Sequence, residues 1–294
     1  MKNLVVLSCF LFFASCNTKT EIQIEYGSNS AVGKYVDVND IKIYYETYGE
    51  GEPLLLLHGN SGSIESFMYN IPELSKHFKV IAVDSRAQGR SYDSDKEITY
   101  ALMASDMSEL IDKLNLGKVN VVGWSDGGNI GLELAFAHPE KVLKVVTFGA
   151  NYTHENWMAP VDSVTMAADD PLRERTSVII NKYKTTFDRL SPDKGKIPGI
   201  RKKLEDLMAN YPNFTIDQLK NIKVPFLIVA GDHDVINLDQ TVAMFTNLPH
   251  AQLLIVPGAS HFVPVEFPDL ANSEIIKFLK APYRDIDGFY FFKE

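Results

Sequence analysis

The stretch Val119-Asn120-Val121-Val122-Gly123-Trp124-Ser125-Asp126-Gly127-Gly128-Asn129 decides how the chain reads. Val119 to Val122 has the β-branched, apolar composition of a strand buried on both faces. Residues 129–138 read as a helix, closed by Pro139. Between them, Gly123 to Gly127 fits G-x-S-x-G. A serine on a sharp turn from strand to helix has its hydroxyl lifted clear of the sheet. Small residues at 123, 127 and 128 let strand and helix approach closely. The free N–H groups of the helix start point at any negative charge that develops there.

Working outward, Leu54 to Leu57 is a continuous apolar run, as is Val80 to Val83, which ends at Asp84. Residues 142–148, 226–230 and 253–256 continue the series of buried strands. Residues 34–38 and 41–48, split by Asn39-Asp40, predict a hairpin. Helical spacing falls on 63–77, on 267–279, and on the run from Thr99 through Leu102, Met103, Met107, Leu110, Ile111 and Leu114. Gly117 is the expected left-handed residue closing that last helix. Strand–helix alternation predicts an α/β fold with a parallel sheet and an antiparallel edge. The alternation stops over 151–222, where 171–190 and 200–210 carry helical spacing. That stretch is expected to be a helical cap inserted into a core of 33–150 and 223–294.

The 294 residues are 45% hydrophobic and carry a net charge of −9. Such a chain can bury a large core, and its acidity repels nucleic acid, so no nucleic-acid partner is expected. Both cysteines, Cys9 and Cys16, fall in the first sixteen residues. Lys2 precedes an apolar run from Leu4 to Ala14 that is too short to span a bilayer. Phe13-Ala14-Ser15-Cys16 resembles a bacterial lipobox, which implies a signal over 1–15, lipid attachment at Cys16, a tether over 16–32, and a location on the cell envelope. The aromatic tail, with Phe289, Tyr290, Phe291 and Phe292, is expected to pack on the domain surface.

Four further segments join the serine turn: His58-Gly59-Asn60, the loop from Asp84 through Arg86 and Gly89 to Ser91, Gly231-Asp232-His233-Asp234, and Gly258-Ala259-Ser260-His261-Phe262. With these the chain resembles the α/β-hydrolase superfamily over residues 33–280, in the order Ser, Asp, His. The resemblance implies a mostly parallel eight-stranded sheet flanked by helices, and a catalytic triad of Ser125, His261 and Asp234. Asp232, two residues from Asp234, is the rival acid. The backbone N–H groups of Asn60 and Asp126 would form an oxyanion hole. A small or medium ester, lactone or amide would be hydrolysed through an acyl-enzyme, with no metal and no organic cofactor. A C–C bond hydrolase, a perhydrolase and a ligand-binding protein on the same fold are the alternatives. Gly-Trp-Ser-Asp-Gly-Gly is similar to the valacyclovir-hydrolase branch, where the matching acid binds an α-amino group. Asp126, Trp124 and Trp157 are therefore expected to touch substrate, and Tyr152, Tyr183, Phe187 and Tyr211 are further candidates to line the pocket.

Overall fold

A computed structural model describes residues 24–159 and 170–284. The expected signal, Cys16, the aromatic tail and residues 160–169 of the cap lie outside the described residues. Eight strands form one sheet in the order β1-β2-β4-β3-β5-β6-β7-β8. They are β1 (Gly33–Val38), β2 (Ile41–Tyr48), β3 (Pro53–Leu57), β4 (Lys79–Val83), β5 (Val119–Trp124), β6 (Val142–Phe148), β7 (Phe226–Gly231) and β8 (Ala251–Val256). The β1–β2 and β2–β4 pairs are antiparallel, and every other pair is parallel.

The apolar runs are explained by the two faces of the sheet. Leu55 and Leu57 of β3 face one buried cluster, with Ile81, Val83, Val119 and Val121. Leu54 and Leu56 face the other, with Val80, Ala82, Val122 and Trp124. Helices cover both faces, so the central strands are apolar on both sides apart from residues such as Asn120 and Thr147. Each fully buried leucine contributes about 2 kcal/mol of transfer free energy.

The helices are α1 (Ile71–Leu74), α2 (Tyr100–Lys113), α3 (Asp126–Ala137), α4 (Pro171–Leu190), α5 (Ile197–Asn210), α6 (Ile216–Asn221), α7 (Leu238–Asn247), α8 (Val263–Glu266) and α9 (Pro268–Lys280). Three expectations need correction. Residues 63–77 do not form one helix: a 3-10 turn, Ile64–Phe67, precedes the single turn of α1. Pro72 stands inside the run and can donate to no helical ladder, while Asp84 accepts the free Ile64 N–H at the start of the turn at 2.8 Å. Gly117 does not close α2. Asn115 takes the left-handed position (φ 51°), and the Leu116 N–H returns to the Ile111 carbonyl at 3.0 Å. Helices α6 and α7 were not anticipated.

Between β6 and β7 the chain carries α4, α5 and α6. Phe187, Ile200, Leu204 and Leu207 from α4 and α5 join the main core cluster. Helix α4 is also held by charge. Glu65, buried beside the β3 loop, pairs with Lys182 (2.7 Å) and with both Nη groups of Arg189. The segment before β1 is gripped as well. The Glu46 carboxylate accepts the Gly27 and Asn29 N–H groups at 2.8 and 2.9 Å, while Arg90 donates to the Gly27 carbonyl at 2.8 Å. Gly27 rests against Glu65.

Candidate active site

Ser125 stands between the end of β5 and the start of α3 with φ 56° and ψ −122°. Such a conformation costs about 1–3 kcal/mol in a residue other than glycine. It is held by the Ser125 N–H donating to the Phe148 carbonyl of β6 at 2.7 Å, and by the Ser125 carbonyl accepting from Gly128 at 2.8 Å. The turn is so tight that a Cβ at 127 would fall 1.9 Å from the Leu57 carbonyl oxygen, which explains the glycine there.

The acid and the imidazole come from the loops after β7 and β8. His261 Nδ1 and Asp234 Oδ1 are 2.7 Å apart, and the same oxygen accepts the Ile236 N–H at 2.9 Å. Asp234 Oδ2 is buried with no partner among the described residues. The rival Asp232 does other work. Its Oδ1 accepts the Gly258 N–H at 2.8 Å and lies 2.7 Å from the ring of the exposed His233, a contact that holds its carboxyl below the usual range. The acid loop and the histidine loop are thereby stitched together. Glu266 completes the histidine loop, accepting the Ser260 N–H at 2.8 Å and the Ser260 hydroxyl at 2.5 Å.

Gly149 relates the pair to the serine. It follows Phe148, which binds the Ser125 N–H, and has φ 56°. A Cβ there would lie 2.6 Å from His261 Nδ1 and 2.8 Å from Asp234 Oδ2. The imidazole thus passes over the chain beside the serine turn. Among the described hydrogen bonds none joins Ser125 Oγ to His261, a contact that commonly tightens only when substrate binds.

On the other side of Ser125 lies the loop after β3. Gly59 packs against the serine: its Cβ position is 3.0 Å from Ser125 Cβ. Among the described residues, the backbone N–H groups of Asn60 and Asp126 donate to no protein acceptor. The buried His58 ring spans two loops. Its Nε2 accepts the Ser85 N–H at 3.0 Å, so Nδ1 carries the proton and donates to the Gly59 carbonyl at 2.7 Å. Burial lowers this imidazole to a pKa of about 4. Gln88 accepts the Ser61 N–H at 2.6 Å.

The loop from Asp84 to Ser91 is structural. Asp84 accepts the Ile64 and Arg90 N–H groups at 2.8 Å each, and burial pushes its pKa up to about 7. Arg86 makes a two-pronged bond to Asp106 at 2.7 Å and reaches Asp40 at 2.9 Å.

The expected substrate contacts separate. Trp124 is 1% exposed and is corrected from a substrate contact to a support. Its ring is packed by Phe67, Tyr183 and Phe262, and its Nε1–H donates to the His261 carbonyl at 2.8 Å. Trp157 is half-buried on a segment running beside the acid loop, where its carbonyl accepts the Asn237 N–H at 2.7 Å. Asp126 is 5% exposed, with both carboxylate oxygens engaged: Tyr100 Oη donates to Oδ1 at 2.7 Å and Asn60 Nδ2 to Oδ2 at 2.9 Å. Of the cap aromatics, Tyr183 reaches the β3 loop and accepts the Ser66 hydroxyl at 3.0 Å, Phe187 is core, and Tyr211 bonds Glu97. Sequence reasoning missed Tyr100, Gln88 and Glu266. Tyr100 and Glu266 fall within no pattern that marks chemistry, and Gln88 is at a variable position of the loop from Asp84 to Ser91.

Comparison with known proteins agrees with this architecture. A family described as alpha/beta hydrolase fold matches residues 52–176. The chain is 27% identical to a pimeloyl-[acyl-carrier protein] methyl ester esterase of Nitrosospira multiformis, over 83% of this chain and 100% of that one. It is also 27% identical to a 2-hydroxy-6-oxo-6-(2'-aminophenyl)hexa-2,4-dienoic acid hydrolase of Metapseudomonas resinovorans, over 86% and 93%. Among solved structures, Est816, described as an N-acyl homoserine lactone degrading enzyme, aligns with a TM-score of 0.68 at 25% identity, over 83% of this chain and 100% of that one. The protein has the α/β-hydrolase fold. The relatives that it matches include an esterase and a dienoic acid hydrolase.

Proposed function

We propose that the protein is a serine hydrolase that cleaves a small or medium carboxylic ester through an acyl-enzyme. The observation that carries this reading is a serine held at positive φ between strand and helix, beside an imidazole bonded to a buried carboxylate. Ser125 Oγ attacks the carbonyl while His261 takes its proton. Asp234 holds the imidazole with Nε2 free and stabilises the imidazolium. The Asn60 and Asp126 N–H groups receive the oxyanion; one such donor is typically worth about 3 kcal/mol of barrier. Water activated by His261 then releases the acid. No step calls on a metal or an organic cofactor.

The esterase and lactonase likenesses support an ester or lactone substrate. The likeness to a dienoic acid hydrolase favours a second reading, hydrolysis of a C–C bond beside a ketone by the same residues. We propose further that the acyl group is not selected by positive charge, because Asp126 already accepts from two protein donors. A panel of esters, lactones, amides and vinylogous diketones separates these readings, with a valine ester and its N-acetyl form included. Fluorophosphonate labelling that is lost in Ser125→Ala supports the serine mechanism. Equal labelling in that variant overturns it. We also propose export and lipid attachment at Cys16, a reading that rests on residues 1–16 alone. Globomycin should block processing of the full chain, and unchanged processing would remove the proposal.

A further inference from the structure

The two residues assigned to the oxyanion hole are joined by their side chains, and the joint ends on a residue outside the triad. Ser61 Oγ donates to Asn60 Oδ1 at 2.8 Å, and the Asp126 carboxylate, which can only accept, fixes how the amide is turned. Asn60 Nδ2 then donates to Asp126 Oδ2 at 2.9 Å, and Tyr100 Oη donates to Asp126 Oδ1 at 2.7 Å. Tyr100 is 2% exposed and opens α2, whose start is fixed by the Leu102 N–H donating to Thr99 Oγ1 at 3.0 Å. Three separate elements meet on one carboxylate: the β3 loop, the start of α3 and the start of α2.

The residue types follow from donor counting. Tyr100 and Asn60 both donate to residue 126, so its side chain must accept twice. A carboxylate does so; an amide would turn a donor toward Asn60. By Coulomb's law a carboxylate beside a developing oxyanion opposes the reaction, so its presence asks for a compensating role. That role is geometric. Asp126 is fixed by a helix, whereas Asn60 sits on a loop, and the separation of their N–H groups decides whether both reach one oxygen. Breaking either bond strands a buried charged acceptor, so the bridge is stiff. Burial raises the Tyr100 phenol well above its ordinary value, and Asp126 adds to this, so Tyr100 stays a donor.

We propose that Tyr100 is a positioning residue that acts through the Asp126 and Asn60 side chains to hold the two oxyanion donors at their working separation. This deepens the serine-hydrolase reading and rests on it. The test uses the full chain, a neutral p-nitrophenyl ester as substrate, and phenylboronic acid as a mimic of the tetrahedral adduct. Tyr100→Phe should lower kcat about tenfold with KM unchanged and weaken boronate binding to a similar degree. Asp126→Asn, which sets donor against donor, should lower kcat about 100-fold. The exchange Asn60→Asp with Asp126→Asn restores donor–acceptor order, because residue 126 can accept from Tyr100 and donate to residue 60. It should recover at least about tenfold over Asp126→Asn alone. A merely structural bridge would lower thermal stability and leave the split between kcat and KM unmoved.

Three outcomes overturn the proposal: Tyr100→Phe that keeps full kcat and boronate affinity, an exchange variant no better than Asp126→Asn, or an Asp126→Asn loss confined to a valine ester and absent with its N-acetyl form. The last would make Asp126 a cation site. If Asp126→Asn does not fold, Tyr100→Phe decides alone, since it removes a single oxygen. A wild-type chain that neither labels with fluorophosphonate nor turns over any ester fails the serine-hydrolase reading itself, a result distinct from an active wild type with indifferent variants.

Discussion

The two walls that flank Ser125 are built differently. On the β3–β4 side, His58, Asn60, Ser61, Gln88, Tyr100 and Asp126 are cross-linked, and the Asp126 carboxylate has a donor on each oxygen. On the β7–β8 side, the acid has one oxygen engaged and one buried without a partner among the described residues. The first wall receives a charge that appears on substrate, and fixed dipoles serve it best because they need not reorganise. The second must pass a proton back and forth. An uncommitted Asp234 Oδ2 leaves the carboxylate's charge available to an imidazolium that exists only part of the time. The contrast lies in the two carboxylates and not in the loops that carry them, since the acid and histidine loops are themselves tied by Asp232 and Glu266.

That contrast can be broken in order of effect. Asp234→Asn should lower kcat by about 10⁴, because the imidazole loses both its tautomer and its counter-charge. Asp232→Asn should stay within about tenfold of wild type, since Asp232 only caps the loop turn. Steady-state kinetics on the best substrate of the panel checks both, and a reversed pattern reassigns the acid. Gly149→Ala comes next. Its Cβ would intrude to 2.6 Å from His261 Nδ1 at a backbone of φ 56°. The displaced ring should cost about 100-fold in kcat, read alongside a circular dichroism spectrum that remains native. Trp124→Phe removes the N–H that holds the His261 carbonyl and also shrinks a fully buried ring. It should lower kcat about tenfold and cost about 1–3 kcal/mol in urea denaturation.

The smallest effect concerns the stiffer wall. His58 is held near a pKa of about 4 in the fold against 6.5 for a free side chain. Between these values the unfolded chain binds the extra proton, so falling pH removes stability, by about 1 kcal/mol per unit through the window. The loss begins near 6.5 and is complete below about 4. NMR titration of the histidine Cε1 protons should find one ring still neutral at pH 5. A His58 signal that titrates near 6.5 would remove this prediction and with it the bridge between the Gly59 and Ser85 backbones.

Much of this site was legible in the sequence because its chemistry is local. Gly123 to Gly128 follows an apolar run and precedes a helix, and no other arrangement satisfies those residues as well. Asp234 and Asp232 could be ranked only by the resemblance, since two residues on one loop differ in direction and not in type. Tyr100 was hidden for a physical reason: it lies 26 positions before Asp126 and reads as the apolar start of a helix, and only the folded sheet brings the starts of α2 and α3 together. Trp124 misled because an aromatic next to a nucleophile can face substrate or core. Its ring is enclosed by Phe67, Tyr183 and Phe262 and lies 6.1 Å from the His261 ring. The break in 63–77 was legible, because Pro72 stands inside the run and has no N–H to give to a helix.

The grip on the segment ahead of β1 has a mechanical consequence. Gly27 is clasped by Glu46 and Arg90 and rests on Glu65, the same carboxylate that moors α4 through Lys182 and Arg189. Glu46 belongs to β2, so tension drawn along the chain at Gly27 would reach the sheet directly, and through Glu65 the mooring of α4 at the same time.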